Sequence, residues 1–158
     1  DPAVMAATAA HDPDNQFADL KHTYPNLGVI HGPLPQFVTP QPVDVVWTSQ
    51  NYHDMHNKQY AMDVNEVNKA IFKSLKPGGY YVIIDHKAAE TAGDDVTEAL
   101  HRIKESTVKK EVEAAGFKLV AEGKDLSYAS DDGTKRVFEA DVKGKTNQFM
   151  LKFQKPRH

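Results

Sequence analysis

The chain has 158 residues, 40% of them hydrophobic and 26% charged, with a formal net charge of −3 from 19 basic and 22 acidic side chains. That is the size and composition of one globular domain with a real core. The lysines are interleaved with acids, which excludes a nucleic-acid footprint, and no apolar stretch approaches a membrane span. The absence of cysteine excludes disulfides, thiolate metal sites and cysteine nucleophiles.

Residues 2–23 read as an irregular helical region. Pro2 suits a first helical turn, Ala3 to Ala10 favours helix, Asp12-Pro13-Asp14 interrupts it, and Phe17, Leu20 and Tyr24 predict a second short helix. Leu27 to His31 is a short buried-strand candidate, followed by a proline-rich loop to residue 42. Val43 to Trp47 is a nearly unbroken apolar run, as in a parallel strand covered on both faces.

Asp63 and Glu66 make a capping-box-like start. Val67, Ala70, Ile71, Ser74 and Leu75 then follow at the spacing of a helix lying on a sheet. Lys76-Pro77-Gly78-Gly79 stops that helix, and Tyr80 to Ile84 is the next buried strand. Residues 87–94 form a loop and Asp95 to Arg102 a short helix. Ser106 is placed to cap a further helix with Val108, Val112 and Ala115 on its buried stripe and Gly116 as its stop. Phe117 to Glu122 is a strand, residues 123–146 a long polar excursion expected to be a loop with fragments of structure, and Phe149, Leu151 and Phe153 mark a last, half-buried strand. Strands separated by amphipathic helices argue a parallel α/β sheet, and the closing strand pair argues an antiparallel edge.

The Leu75-Lys76-Pro77-Gly78-Gly79 turn, the Glu113-Ala114-Ala115-Gly116-Phe117 turn and their separation resemble the C-terminal two-thirds of a class I S-adenosylmethionine-dependent methyltransferase. Asn51-x-His53-Asp54, Asp85-His86, Leu100-His101-Arg102-Ile103 and the tail from Gly144-Lys145-Thr146 to Leu151-Lys152-Phe153 resemble a bacterial subgroup of predicted methyltransferases, members of which often carry a secretory signal. The resemblance leaves periplasmic, secreted and cytoplasmic locations open. It implies a single domain over residues 1–158 with an α/β, Rossmann-like sheet, mostly parallel, carrying an antiparallel C-terminal strand and truncated at the N-terminus.

That family holds its cofactor on a glycine-rich turn after the first strand. This sequence has no such turn, and Gly78-Gly79 enter a strand rather than leave one. The resemblance thus implies S-adenosylmethionine as cofactor but little or no binding by this chain alone. It puts Asp1 beyond the family's second strand, where a carboxylate meets the cofactor ribose, and Thr48 on the cofactor side. Without central strands, apolar faces of the strand at 43–47 are expected to be exposed, to pair with the strand at 27–31, or to self-associate.

Ligands of open α/β sheets bind beyond the C-terminal strand ends. Those ends carry Thr48 to His56 and Asp85 to Lys87, with His101 on a following helix, so Asn51, His53, Asp54, His86 and His101 are expected to converge. For transfer to a hydroxyl or amine, a neutral histidine suits the role of base. His53 and His86 are the candidate bases, with Asn51, Asp85 and Tyr52 as positioning groups and Tyr52 and His101 toward the small-molecule acceptor. Two other functions fit the same residues: a non-catalytic binding or interaction module on this fold, or a metal-binding protein using His53, His56, His86 and His101. The aromatic set Phe72, Tyr80, Tyr81, Phe149 and Phe153 reads as core.

Overall fold

The apolar runs at 43–47 and 80–84 become neighbouring strands, and the rest of the architecture follows from how their ends are covered. The computed structural model describes residues 3–6, 20, 23–30 and 32–157. Its strands are β1 (Ala3–Ala6), β2 (Leu27–Ile30), β3 (Val43–Ser49), β4 (Leu75–His86), β5 (Lys118–Gly123) and β6 (Gln148–Gln154). Strands β1 and β2 form a two-stranded parallel sheet, and the other four form a sheet in the order β3-β4-β6-β5. β3 and β4 are parallel, while β6 lies antiparallel between β4 and β5. The mixed α/β sheet with an antiparallel C-terminal strand is the one the sequence predicts.

Two N-terminal expectations are corrected. Ala3 to Ala6 is a strand, not the start of a helix, because pairing with Leu27–Ile30 overrides alanine's weak intrinsic preference. And β2 pairs with β1 rather than with β3. Asp1, His31 and most of the two helices expected between residues 2 and 24 lie outside the described residues; Leu20 and Thr23, which are described, are helical, and the Tyr24 N–H donates to the Leu20 carbonyl.

Helix α1 (Val64–Ser74) starts where the carboxylate of Asp63 accepts the backbone N–H groups of Asn65 and Glu66. It buries Val67, Ala70 and Ile71 against the sheet. Helix α2 (Val96–Leu100) is shorter than expected, because His101 takes a left-handed conformation, φ 53°, and ends it. Helix α3 (Glu105–Ala114) buries Val108 and Val112 as expected. Its cap position is Lys104 rather than Ser106, whose hydroxyl instead donates to the Glu90 carboxylate. Between α1, α3 and the sheet lies the core of Ile71, Leu75, Tyr81, Ile83, Leu151 and Phe153.

The Lys76-Pro77-Gly78-Gly79 turn is absorbed into β4 through a register shift opposite Val43 to Val45. Gly78 has φ 83°, and a Cβ on Gly79 would lie 2.9 Å from the Lys76 carbonyl and 3.0 Å from that of Asp44. Only glycine meets both demands without moving backbone.

The segment between β5 and β6 is a loop, as the sequence predicts, without the expected fragments of helix or strand, and it is anchored. Arg102, fully buried, donates to both carboxylate oxygens of the equally buried Asp131 at 2.9 Å each. Arg102 also donates to the carbonyls of Lys87 and Lys135, and Asp131 accepts the N–H groups of Gly133 and Asn147. Val137 and Val142 are buried beneath the same loop.

Among the described residues, the outer edge of β3 has no strand partner. On that strand Val45 is 53% and Trp47 67% exposed, so it is not covered on both faces as its apolar run suggests. No helix of the described residues is long and apolar enough to cross a membrane.

Candidate acceptor site

Because β3 and β4 are parallel, with Ser49 opposite Ile84, their C-terminal ends open side by side. After β3 the chain makes a tight turn through Gln50, which has φ 57°, and enters a 3-10 turn over His53–His56. After β4 it crosses to α2, whose left-handed end aims His101 back over that turn.

Asp85 is the fixed point. It is fully buried and accepts the backbone N–H of His53 at 2.8 Å, that of His86 at 2.7 Å, and Nδ1 of His53 at 2.8 Å. A carboxylate held by backbone N–H groups fixes the His53 tautomer with hydrogen on Nδ1 and a free lone pair on Nε2. That Nε2 lies 3.3 Å from Oδ1 of Asp54. Burial alone draws the His53 imidazole down, but the hydrogen bond and charge of Asp85, with the charge of Asp54, outweigh it and hold His53 above the ordinary histidine value.

His86 and His101 complete the cluster. Their rings lie 6.0 and 5.6 Å from that of His53, centroid to centroid. His86 shares Nδ1 with the Thr146 hydroxyl at 2.8 Å. Burial lowers its basicity, and His53 and Arg102 add to this against the opposing pull of Asp85 and Asp131. His101 is likewise lowered by burial, then by His53 and Arg136, with Asp54 opposing. Phe138 stacks edge-on against it at 5.0 Å, and Arg136 approaches its Nε2 at 3.3 Å.

The other candidates go elsewhere. Tyr52 turns to α1 and α3 rather than to the histidine cluster: it is fully buried, receives a hydrogen bond from Asn68 and donates to Glu111. His56 is not part of the histidine cluster either, since its Nε2 meets Glu111 at 3.1 Å, on the α3 side of the turn. The His53-x-x-His56 spacing lies on a helical turn, but in a 3-10 turn the two rings diverge to different partners. Asn51 is exposed and spends its amide on the Ser49 carbonyl. Thr48 sits in β3 opposite Ile83. Sequence reasoning missed Glu111 and Asp131. Glu111, three residues after Val108 and next to Val112, carries a signal as a charge bordering a buried stripe. Asp131, inside a polar loop, carries none.

No family model matches the sequence, and no curated protein matches it. Solved structures do match. The [4+2]-cyclase SpnF is 15% identical with a TM-score of 0.69, over 99% of this chain and 67% of that one. The N-methyltransferase NodS from Bradyrhizobium japonicum is 13% identical with a TM-score of 0.63, over 98% and 74%. An S-adenosylmethionine-dependent methyltransferase from Mesorhizobium loti is 12% identical with a TM-score of 0.61, over 97% and 80%. The fold is that of the S-adenosylmethionine-dependent methyltransferases. A cyclase among the matches means that the methyltransferase fold does not by itself fix the reaction.

A cofactor cradle of this fold needs a glycine turn leading from a strand into a helix; among the described residues no glycine leads directly from a strand into an α-helix. The space beside Gly78 is filled by Arg157, that beside Gly116 by Phe72, and that beside Gly133 by the backbone of residues 87–89. Gly32, two residues past the end of β2, faces open space and comes shortly before a three-residue 3-10 turn over Leu34–Gln36.

Proposed function

We propose that this chain carries the acceptor side of an S-adenosylmethionine-dependent methyltransferase, in which His53 takes the proton of a small-molecule hydroxyl or amine. The observation that supports it is the Asp85–His53 pair at the joined ends of two parallel strands on a methyltransferase fold. Asp85 orients the ring and favours its protonated form, so Nε2 becomes the proton acceptor for a group bound beside Asp54 and His101. His86, hydrogen-bonded to Thr146, and Phe138, packed against His101, flank the cluster. In the family that this chain resembles the methyl donor sits on a glycine turn after a strand, which no described residue forms, and weak or absent cofactor binding by this chain is part of the proposal.

Two measurements test the reading. Calorimetric titration of the 158-residue chain with S-adenosylmethionine is expected to give no micromolar binding, and micromolar affinity would sink that part. Methyl transfer by the natural gene product, assayed on small hydroxyl and amine acceptors, is expected to fall about 100-fold or more in His53→Ala. Unchanged transfer in that variant would remove His53 from the role.

A further inference from the structure

Beyond proton transfer, the geometry points to a binding site for a first-row divalent cation of the zinc class, formed by His53, Asp54 and His101. Nε2 of His53 lies 3.3 Å from Oδ1 of Asp54, Nδ1 of His101 lies 4.0 Å from the same oxygen, and one ligating atom from each residue falls within 4.8 Å of the others. Tetrahedral coordination with bonds of about 2.1 Å places ligand atoms about 3.4 Å apart. The remaining closure falls to Asp54 and His101, which are 40% and 24% exposed and free to adjust, while His53 is held at 4%.

Three features favour a cation here over a chance cluster. The first is the outer support. A metal-binding imidazole typically gives its second nitrogen to a carboxylate, and Asp85 holds Nδ1 of His53 in that way, itself anchored by two backbone N–H groups. The second is His101, a non-glycine residue in a left-handed helix cap where glycine is the unstrained choice. That strain places its ring edge-on to His53 and is compensated if the ring ligates. The third is the donor set: two imidazoles and one carboxylate suit zinc and leave a coordination position open. One group opposes the site. Arg136 donates toward Nε2 of His101, which places hydrogen on Nδ1, and this exposed guanidinium must turn aside when Nδ1 ligates.

The lone pair that would take the acceptor's proton is the one that would ligate, so the ion would replace His53 as the activating group by polarising an acceptor oxygen at the open position. That role rests on the acceptor-site reading, but cation binding does not, and it is measured without acceptor or cofactor. Untagged protein stripped with chelator is titrated calorimetrically with zinc chloride and, in parallel, with cobalt(II) followed by visible absorption. We expect about one ion per chain with four-coordinate cobalt bands. Affinity should fall about tenfold or more in Asp54→Ala and in His101→Gly, and about 10- to 100-fold in Asp85→Asn. It should stay unchanged in His56→Ala and rise in Arg136→Ala. His101→Gly relieves backbone strain and Asp54 is half exposed, so loss of binding in those two, with unchanged circular dichroism, cannot be laid to unfolding. Absence of binding to the parent chain, or equal affinity in all five variants, overturns the site and leaves the proton-transfer reading standing.

Discussion

Replacing Asp131 with alanine should remove a large share of this protein's stability. The substitution leaves the Arg102 guanidinium fully buried with two backbone carbonyls, those of Lys87 and Lys135, and no counter-charge. It also takes away the acceptor of the Gly133 and Asn147 N–H groups. Breaking a buried pair from one side costs about 3–5 kcal/mol. Each orphaned N–H would add about 1–3 kcal/mol in a closed interior. Water entering the space left by the carboxylate would satisfy the two N–H groups, so the pair alone sets the magnitude, about 4 kcal/mol. Against a typical total of about 5–15 kcal/mol that is a quarter or more. For a chain of this size it corresponds to a fall in Tm of about 8–16 °C. Urea unfolding followed by circular dichroism reads the change as a lower midpoint at unchanged slope. The double variant Arg102→Met with Asp131→Leu should recover part of the loss, because no charge is then left buried. A midpoint shift worth less than about 1 kcal/mol in Asp131→Ala would refute the reasoning.

The other predictions concern the site and the turn before it. Asp85→Asn should lower the His53 pKa, read from its ring protons by NMR, since Asp85 supplies the interactions that raise it; an unmoved titration would count against the pair. A histidine raised in the folded state stabilises the fold fully below its unfolded value of about 6.5, and the contribution is lost as pH rises through the folded value. The parent protein should therefore lose stability over that window and Asp85→Asn should lose less, measured as urea midpoints across pH. Gly78→Ala should cost about 1–2 kcal/mol for its left-handed backbone. Gly79→Ala should cost at least as much, because its Cβ meets two carbonyl oxygens, and a neutral result at Gly79 would contradict the turn. Trp47→Lys, at a position 67% exposed, should change stability by no more than about 0.5 kcal/mol, checked by the same unfolding curves.

The sheet was legible where burial imposes a pattern. The Asp63 cap, the α1 stripe from Val67 to Ser74 and the alternation of Phe149, Leu151 and Phe153 match the structure, because each is a local demand written in adjacent residues, whereas the helix ends at Ser74 and residues 75–79 enter β4 instead of forming a separate stop. The N-terminal segment was misread because alanine's helix preference is worth tenths of a kcal/mol and strand pairing with residues 27–30 outweighs it. In the site, chain order brings His53, Asp85, His86 and His101 to one end of the sheet, and topology alone anticipates that. What topology does not carry is side-chain direction. His56 and Tyr52 flank His53 in sequence yet turn to Glu111, because a 3-10 turn sends successive rings to different sides. The Arg102–Asp131 clamp joins residues 29 positions apart and leaves no periodic trace.

Trp47 is the chain's one tryptophan, and it stands on β3, whose outer edge has no strand partner among the described residues. The molecule therefore carries its own optical gauge of that edge. In water the indole should emit at long wavelength and be readily quenched by iodide or acrylamide. Any polypeptide that lies along β3 would shift the emission to shorter wavelength and shield it. No label is needed, and no other indole contributes background. An association that leaves the spectrum untouched has docked somewhere else.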